Sequence, residues 1–189
     1  MSIYFSLNEI RSKRQYASYY SKRFDRLEMI RLNNLKELIG RLPEENELMF
    51  IETKKSFNAF TFIVFVIKSV GNINDLFIAT YSINQRIMNA LCRYQDKGQI
   101  KRINIEISAS IRFRSPKIYE QLKRFTTERD WKISYAWTHR KISCMATDAG
   151  HFIAEGSGNF GENSLIEQYI FTKSSQLYAF RNHRAGDME

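Results

Sequence analysis

The sequence predicts an α/β domain, a mixed β-sheet flanked by helices on both faces, preceded by a basic helical extension. Three observations predict it. From Leu48 to Trp137, short apolar runs of strand length alternate with longer segments of helical spacing. The alternation then gives way to a hairpin pattern, two runs of small and apolar residues on either side of Asp148-Ala149-Gly150. Residues 1–42 differ in character from the rest and end at the breakers Gly40 and Pro43, which separates an extension at 1–42 from a main domain at 43–189. With 43% hydrophobic residues among 189, the chain can bury one substantial core.

In the extension, Ser6-Leu7-Asn8-Glu9 has capping-box spacing, and Leu27, Ile30, Leu35, Leu38 and Ile39 recur near helical spacing. Between Met1 and Arg41 nine basic residues face four acidic ones, a net +5 out of the chain's +9. Arg11, Lys13, Arg14, Lys22, Arg23 and Arg26 are its candidate contacts to a nucleic-acid backbone. Leu48–Ile51 reads as a first strand. Asn58–Ile67 fits either a helix with partly buried faces or a strand, because β-branched and aromatic residues favour strands. Leu76–Thr80 is a short, nearly all-apolar strand of the kind buried on both faces.

Ser82-Ile83-Asn84-Gln85 reads as a second capping box, opening a helix with Ile87, Met88, Leu91 and Tyr94 inward and Gly98 at its end. Ile103–Ile107 alternates as a strand. Ser115-Pro116 supplies an N-cap and a first-turn proline for a helix burying Ile118, Leu122 and Phe125. Trp131–Trp137 reads as a strand running straight into His139. Residues 162–170 read as helix or loop with a short strand after, and the tail from Ser175 as helix.

The chemistry concentrates between His139 and Glu167. His139-Arg140-Lys141 places two side chains at i and i+2, on one face of an extended chain. The hairpin returns through His151–Glu155 into Gly156-Ser157-Gly158-Asn159, so its two open ends carry polar groups at one place. An imidazole, an ammonium, a hydroxyl and an amide beside closely approaching glycines suit an oxygen-rich anion such as phosphate.

This pattern resembles the phospholipase D superfamily, whose signature is H-x-K, a downstream Asp, and G-S-x-N. The ending Gly156-Ser157-Gly158-Asn159, followed by Asn163 and Ile166-Glu167-Gln168, is similar to a phage and mobile-element subgroup, as is the strand Leu76–Thr80. The resemblance covers about residues 45–181. It implies a helix at Asn58–Ile67 and a phosphodiester cleavage that needs no metal or other cofactor. In that scheme His139 attacks phosphorus and a second histidine protonates the leaving oxygen. Lys141 and Asn159 bind the non-bridging oxygens, Ser157 adds a donor, and Glu167 holds the other ring N–H of His139. The sequence departs from the pattern once: Ala146 stands at the usual Asp position, Asp148 follows two residues later, and the hairpin is longer by three residues.

The other histidines, His151 and His183, have no motif context. One motif per chain therefore implies a homodimer sharing one site across a twofold axis. Arg112, Arg114 and Lys117, at the start of the Ser115 helix, are candidate substrate contacts. A pI near 9.6 favours nucleic acid or anionic surfaces as partners, and the resemblance to phage and mobile-element proteins implies DNA as the nucleic acid. Cys92 and Cys144 have neither disulfide nor metal spacing and read as buried free thiols. Met1-Ser2-Ile3-Tyr4 lacks a charged n-region, and Phe57–Ile67 falls short of the about 20 residues a bilayer span needs, so a cytoplasmic chain with no membrane partner is expected. The function expected is a nuclease or related DNA-processing phosphodiesterase. Its competitors are a non-catalytic nucleic-acid-binding module and a phosphodiesterase of lipid head groups, which would want an apolar membrane-facing loop or an export signal.

Overall fold

The computed structural model describes residues 15–20, 30–32, 39–54, 58–161 and 166–182. Among these, nine strands make one mixed sheet: β1 (Gln15–Tyr20), β2 (Ile30–Leu32), β3 (Leu48–Lys54), β4 (Ile73–Thr80), β5 (Ile100–Ser108), β6 (Lys132–Ala136), β7 (Ile142–Thr147), β8 (Gly150–Gly156) and β9 (Ile166–Lys173). Their order across the sheet is β2-β1-β3-β9-β8-β7-β4-β5-β6. Of these strands β4, β5 and β6 run parallel; the other neighbours are antiparallel. The helices are α1 (Phe60–Val70), α2 (Gln85–Asp96), α3 (Ile111–Arg114), α4 (Pro116–Glu128) and α5 (Ser175–Arg181).

The two faces of the sheet are covered unequally. On the first face α1, α2 and α4 pack on Met49, Ile51, Leu76, Ile78, Ile103, Ile105, Met145, Phe152 and Phe171, forming the main core. The Phe62 ring sits 5.1 Å from Phe171 and 5.2 Å from Tyr169. On the second face the short α5 covers Phe77, Ala79, Ile142, Cys144 and Ile153 with Leu177 and Tyr178. The expected mixed sheet with helices on both faces is the fold observed.

Individual elements show what the local signals captured. Asn58–Ile67 takes the helical alternative. Its run of eleven residues closes through the Gly71 N–H donating to the Ile67 carbonyl at 2.8 Å, with Gly71 at φ +94°. Both cysteines are buried free thiols, and burial pushes Cys144 up to about 12. In β5 the isoleucines line the main core while Asn104 and Glu106 face the other way, also buried.

Four readings are corrected. Residues 15–20 and 30–32, inside the stretch read as helical, are strands. Their backbone pairs along the otherwise open edge of β3, a use that suits the tyrosine-rich Gln15–Tyr20. The cap of α2 is Asn84, whose side chain accepts from the Ile87 N–H at 2.9 Å. Ser82 is instead held by its carbonyl, which accepts from Thr80 Oγ1. The strand at Trp131–Trp137 spans only Lys132–Ala136, so His139 follows it in a connecting segment. Finally, Ile166–Lys173 is a strand, inserted between β3 and β8, so Glu167 lies on a strand and not a helix.

Candidate functional site

The site is built where the parallel strands end. β4, β5 and β6 deliver Tyr81, Ser110 and Trp137 to the same end of the sheet. β7 runs antiparallel to β4 and begins there, with Ile142 opposite Ala79. The chain must therefore travel from the edge strand β6 past the ends of β5 and β4 to reach β7. His139-Arg140-Lys141 is that crossing. Openings at the carboxyl ends of parallel strands, where the winding direction changes, are where α/β sheets present loops to ligands.

The extended crossing sends alternate side chains to opposite sides. Arg140 turns down to Glu106, a fully buried carboxylate on β5. Its Nε donates at 3.2 Å and its Nη2 makes a second, short bond to the same oxygen. A charge with no exposure requires such a partner. His139 and Lys141 point the other way. Lys141 is buried, and its Nζ lies 3.0 Å from His139 Nδ1 while donating to the His139 carbonyl at 2.9 Å. Opposite an ammonium, Nδ1 is the acceptor, which leaves the proton of the neutral ring on Nε2. Burial holds Lys141 below the ordinary lysine range, and the nearby Glu167 carboxylate partly offsets this.

The second half of the motif is fixed by β8 and β9. The Gly156 N–H donates to the Lys141 carbonyl at 3.1 Å, which ties both halves together across the hairpin mouth. A Cβ on Gly156 would stand 2.1 Å from the Gln168 carbonyl oxygen, so no side chain fits. Ser157 exchanges backbone and side-chain bonds with Gln168, both at 3.0 Å, and its hydroxyl donates a short bond to Glu167 Oε2. Asn159 is half-buried between Gly158 and Phe160, whose ring is fully buried. The Phe160 carbonyl accepts from the Asn84 N–H at 3.1 Å, anchoring this loop to the one after β4. One sequence expectation changes here: Glu167 bonds Ser157, and Lys141 instead meets the His139 ring nitrogen.

Tyr81, unremarked in the sequence, joins the two basic groups. Its ring lies 4.7 Å from His139 on one side, and the Arg114 guanidinium lies 3.9 Å from its centroid. Arg114 also donates to the Tyr81 carbonyl at 2.9 Å and to Ser110 Oγ at 3.0 Å. Arg112 turns back to the Ala109 carbonyl at 3.2 Å, and Lys117 lies exposed on the first turn of α4. The acidic departure is also placed. Ala146 pairs with Asp75 across β4, while Asp148 sits at the hairpin tip, accepting from Asn74 Nδ2 at 2.6 Å, at the far end of the sheet. His151 is near that tip too, against Tyr178 and Ser175.

Of the sequence candidates, His139, Lys141, Ser157, Asn159, Glu167 and Arg114 gather at one end of the sheet. Arg11, Lys13, Arg14, Lys22, Arg23, Arg26, Asn163 and His183 lie outside the described residues. Sequence reasoning missed Tyr81, Arg140 and Glu106. Glu106 carried a signal, an acid in the middle of an apolar strand. A cavity of about 590 Å³ opens at the crossing, lined by His139, Arg140 and Lys141 together with Glu52, Glu155 and Arg181. Among the described residues no three of His, Cys, Asp or Glu are grouped to hold a metal ion, and no helix is long and apolar enough to cross a membrane. No protein-family model matches the chain, and no curated protein does. Among solved structures the chain is similar to NucT from Helicobacter pylori, with 14% identity and a TM-score of 0.44, over 58% of this chain and 75% of that one.

Proposed function

We propose that this chain is a metal-independent phosphodiesterase of the phospholipase D type, a nuclease that cleaves through a phosphohistidine in a homodimeric site. The observation that supports the reading is that the His139–Lys141 pair and the Ser157–Glu167 pair stand at one mouth of the hairpin, tied by the Gly156 N–H to the Lys141 carbonyl, with Arg114 joined to His139 through Tyr81. A phosphate entering this mouth draws the Lys141 ammonium onto a non-bridging oxygen and so frees Nδ1 of His139 to carry the ring proton. Nε2 then holds the lone pair and attacks phosphorus. The N–P bond forms as the P–O ester bond breaks, and the leaving oxygen takes a proton from the imidazolium of a second copy of His139. Water then attacks phosphorus, giving its proton back to that second imidazole, and the N–P bond breaks. Lys141, Asn159 and Arg114 hold the charge that develops on the oxygens.

The test combines three measurements on the full chain. His139→Asn abolishes cleavage of labelled oligonucleotides while the fold, read by circular dichroism, is retained. Acid quench of the wild type traps labelled phosphate on His139. Cleavage persists in excess EDTA, and light scattering gives a dimer. A strictly monomeric protein that cleaves at full rate overturns the shared site, and activity that disappears with EDTA and returns with Mg²⁺ overturns the chemistry.

A second reading, a nucleic-acid-binding module without turnover, is favoured by the acid's position. Ala146 replaces the usual Asp, and Asp148 serves the hairpin tip and not the mouth. Binding without cleavage under every condition above would select it.

A further inference from the structure

Large apolar side chains that stand in water mark a surface made to be covered. Two of the most exposed aromatic residues described, Trp137 at 81% and Phe113 at 73%, both belong to the end of the sheet that carries the site. Trp137 is the first residue after β6 and lies two positions before His139. Phe113 is on α3, the turn that follows β5. The two segments are joined at their base, where the Ala109 N–H donates to the Ala136 carbonyl at 2.8 Å. Following the sheet inward from its edge, the strand ends present Trp137 after β6, Arg112-Phe113-Arg114 after β5, and Tyr81 after β4, with His139 against Tyr81. Cations interleave with these rings. The Arg112 guanidinium lies 5.3 Å from the Phe113 centroid and Arg114 lies over Tyr81.

We infer that this row is a binding platform for single-stranded nucleic acid, on which Trp137 and Phe113 stack unpaired bases while Arg112, Arg114 and Lys117 hold the phosphates. The inference rests on the nuclease reading for its placement, since the row ends at His139. The chemistry selects the occupant. An apolar protein partner matches the rings and offers no negative charge to the guanidinium groups. A duplex matches the cations and keeps its bases stacked inside, away from the rings. An unpaired strand offers π-faces and phosphates in alternation, as this row does. Stacking tolerates any base, so the platform confers a strand preference without a sequence preference.

The test is fluorescence anisotropy with short labelled oligonucleotides on the full chain carrying His139→Asn, so that cleavage does not interfere. Both rings are exposed, so Trp137→Ala and Phe113→Ala leave the fold in place. Each is expected to weaken binding of a single strand about ten-fold, with the salt slope unchanged. Trp137→Phe retains most of the affinity. A strand with abasic sites opposite the platform loses affinity for the parent and becomes insensitive to Trp137→Ala. Paired deoxy- and ribo-oligonucleotides separate the sources: a loss on one alone assigns that strand, and a loss on both is the base-only contact expected of stacking. Unchanged single-strand affinity in both alanine variants overturns the proposal, as does an equal loss on a duplex. Dissociation of a dimer by Trp137→Ala with the single-strand affinity of each chain intact assigns the ring to contact between copies and also overturns it. Because binding is measured without turnover, failure of the platform and failure of the nuclease reading are separately visible.

Discussion

At the scale of single residues, the decisive pair is Lys141 and His139. Burial lowers the lysine's proton affinity in the folded chain. Between that lowered value and the ordinary lysine value, the unfolded chain binds more protons than the folded one, so stability rises with pH across the window. A bound phosphate acts in the opposite sense, because it stabilises the ammonium. Affinity for inorganic phosphate should therefore fall as pH rises through the lowered value, before the ordinary lysine range is reached. Isothermal calorimetry at increasing pH checks this, and Lys141→Arg, which keeps its charge, should flatten the profile. An affinity constant up to the ordinary lysine range contradicts the placement of Lys141 on the anion. Gly156 makes a separate, structural claim. With the Gln168 carbonyl 2.1 Å from any added Cβ, Gly156→Ala should cost about 2 kcal/mol or more in urea unfolding.

At the scale of elements, the crossing from β6 to β7 is clamped by an ion pair. Glu106 has no exposure, and Arg140 pairs with it. Arg140→Ala removes one charged partner of a buried carboxylate and should cost about 3 kcal/mol in stability. Replacing both with apolar residues, Arg140→Met with Glu106→Leu, should restore much of the stability. Cleavage should remain low in the double variant if the pair also sets the angle at which His139 meets Lys141. Full activity there reduces the pair to a stability element. This clamp also shows where sequence reading stops. H-x-K and GSxN were legible because their spacing survives any rotation of the chain. The pairing of Glu106 was not, because Arg140 comes from a loop that approaches from another strand. The reversal of Glu167 from ring orienter to serine partner has the same origin: strand parity decides which neighbour a side chain meets, and residues 162–170 carried no clear strand period.

At the scale of the molecule, most of the sheet and the helices after β4 and β5 followed from apolar runs and breakers, while the helix at Phe60–Val70 was left open by them and came only from the resemblance. The N-terminal strands followed from neither, because Gln15–Tyr20 pairs by backbone along an edge that only the finished sheet provides. The charge of that region remains a separate proposal. Deleting residues 8–41 would strip β1 from the sheet, so the cleaner experiment converts Arg11, Lys13, Arg14, Lys22, Arg23 and Arg26 to glutamine. If they touch phosphates, the slope of log affinity against log salt should shrink by roughly 0.7–0.9 for each phosphate no longer neutralised. An unchanged slope assigns the charges to solubility.

The hairpin mouth lies at one end of the sheet and its tip, with Asp148, at the other. Length can therefore be added at the tip without disturbing the bond from Gly156 to Lys141. A linker, an affinity handle or a fluorophore inserted between Asp148 and Ala149 should leave the mouth in register, which makes the tip a tolerant attachment point. The spacing between the two half-motifs is then free to drift among chains built this way, and a search for them that fixes the gap would pass such chains over.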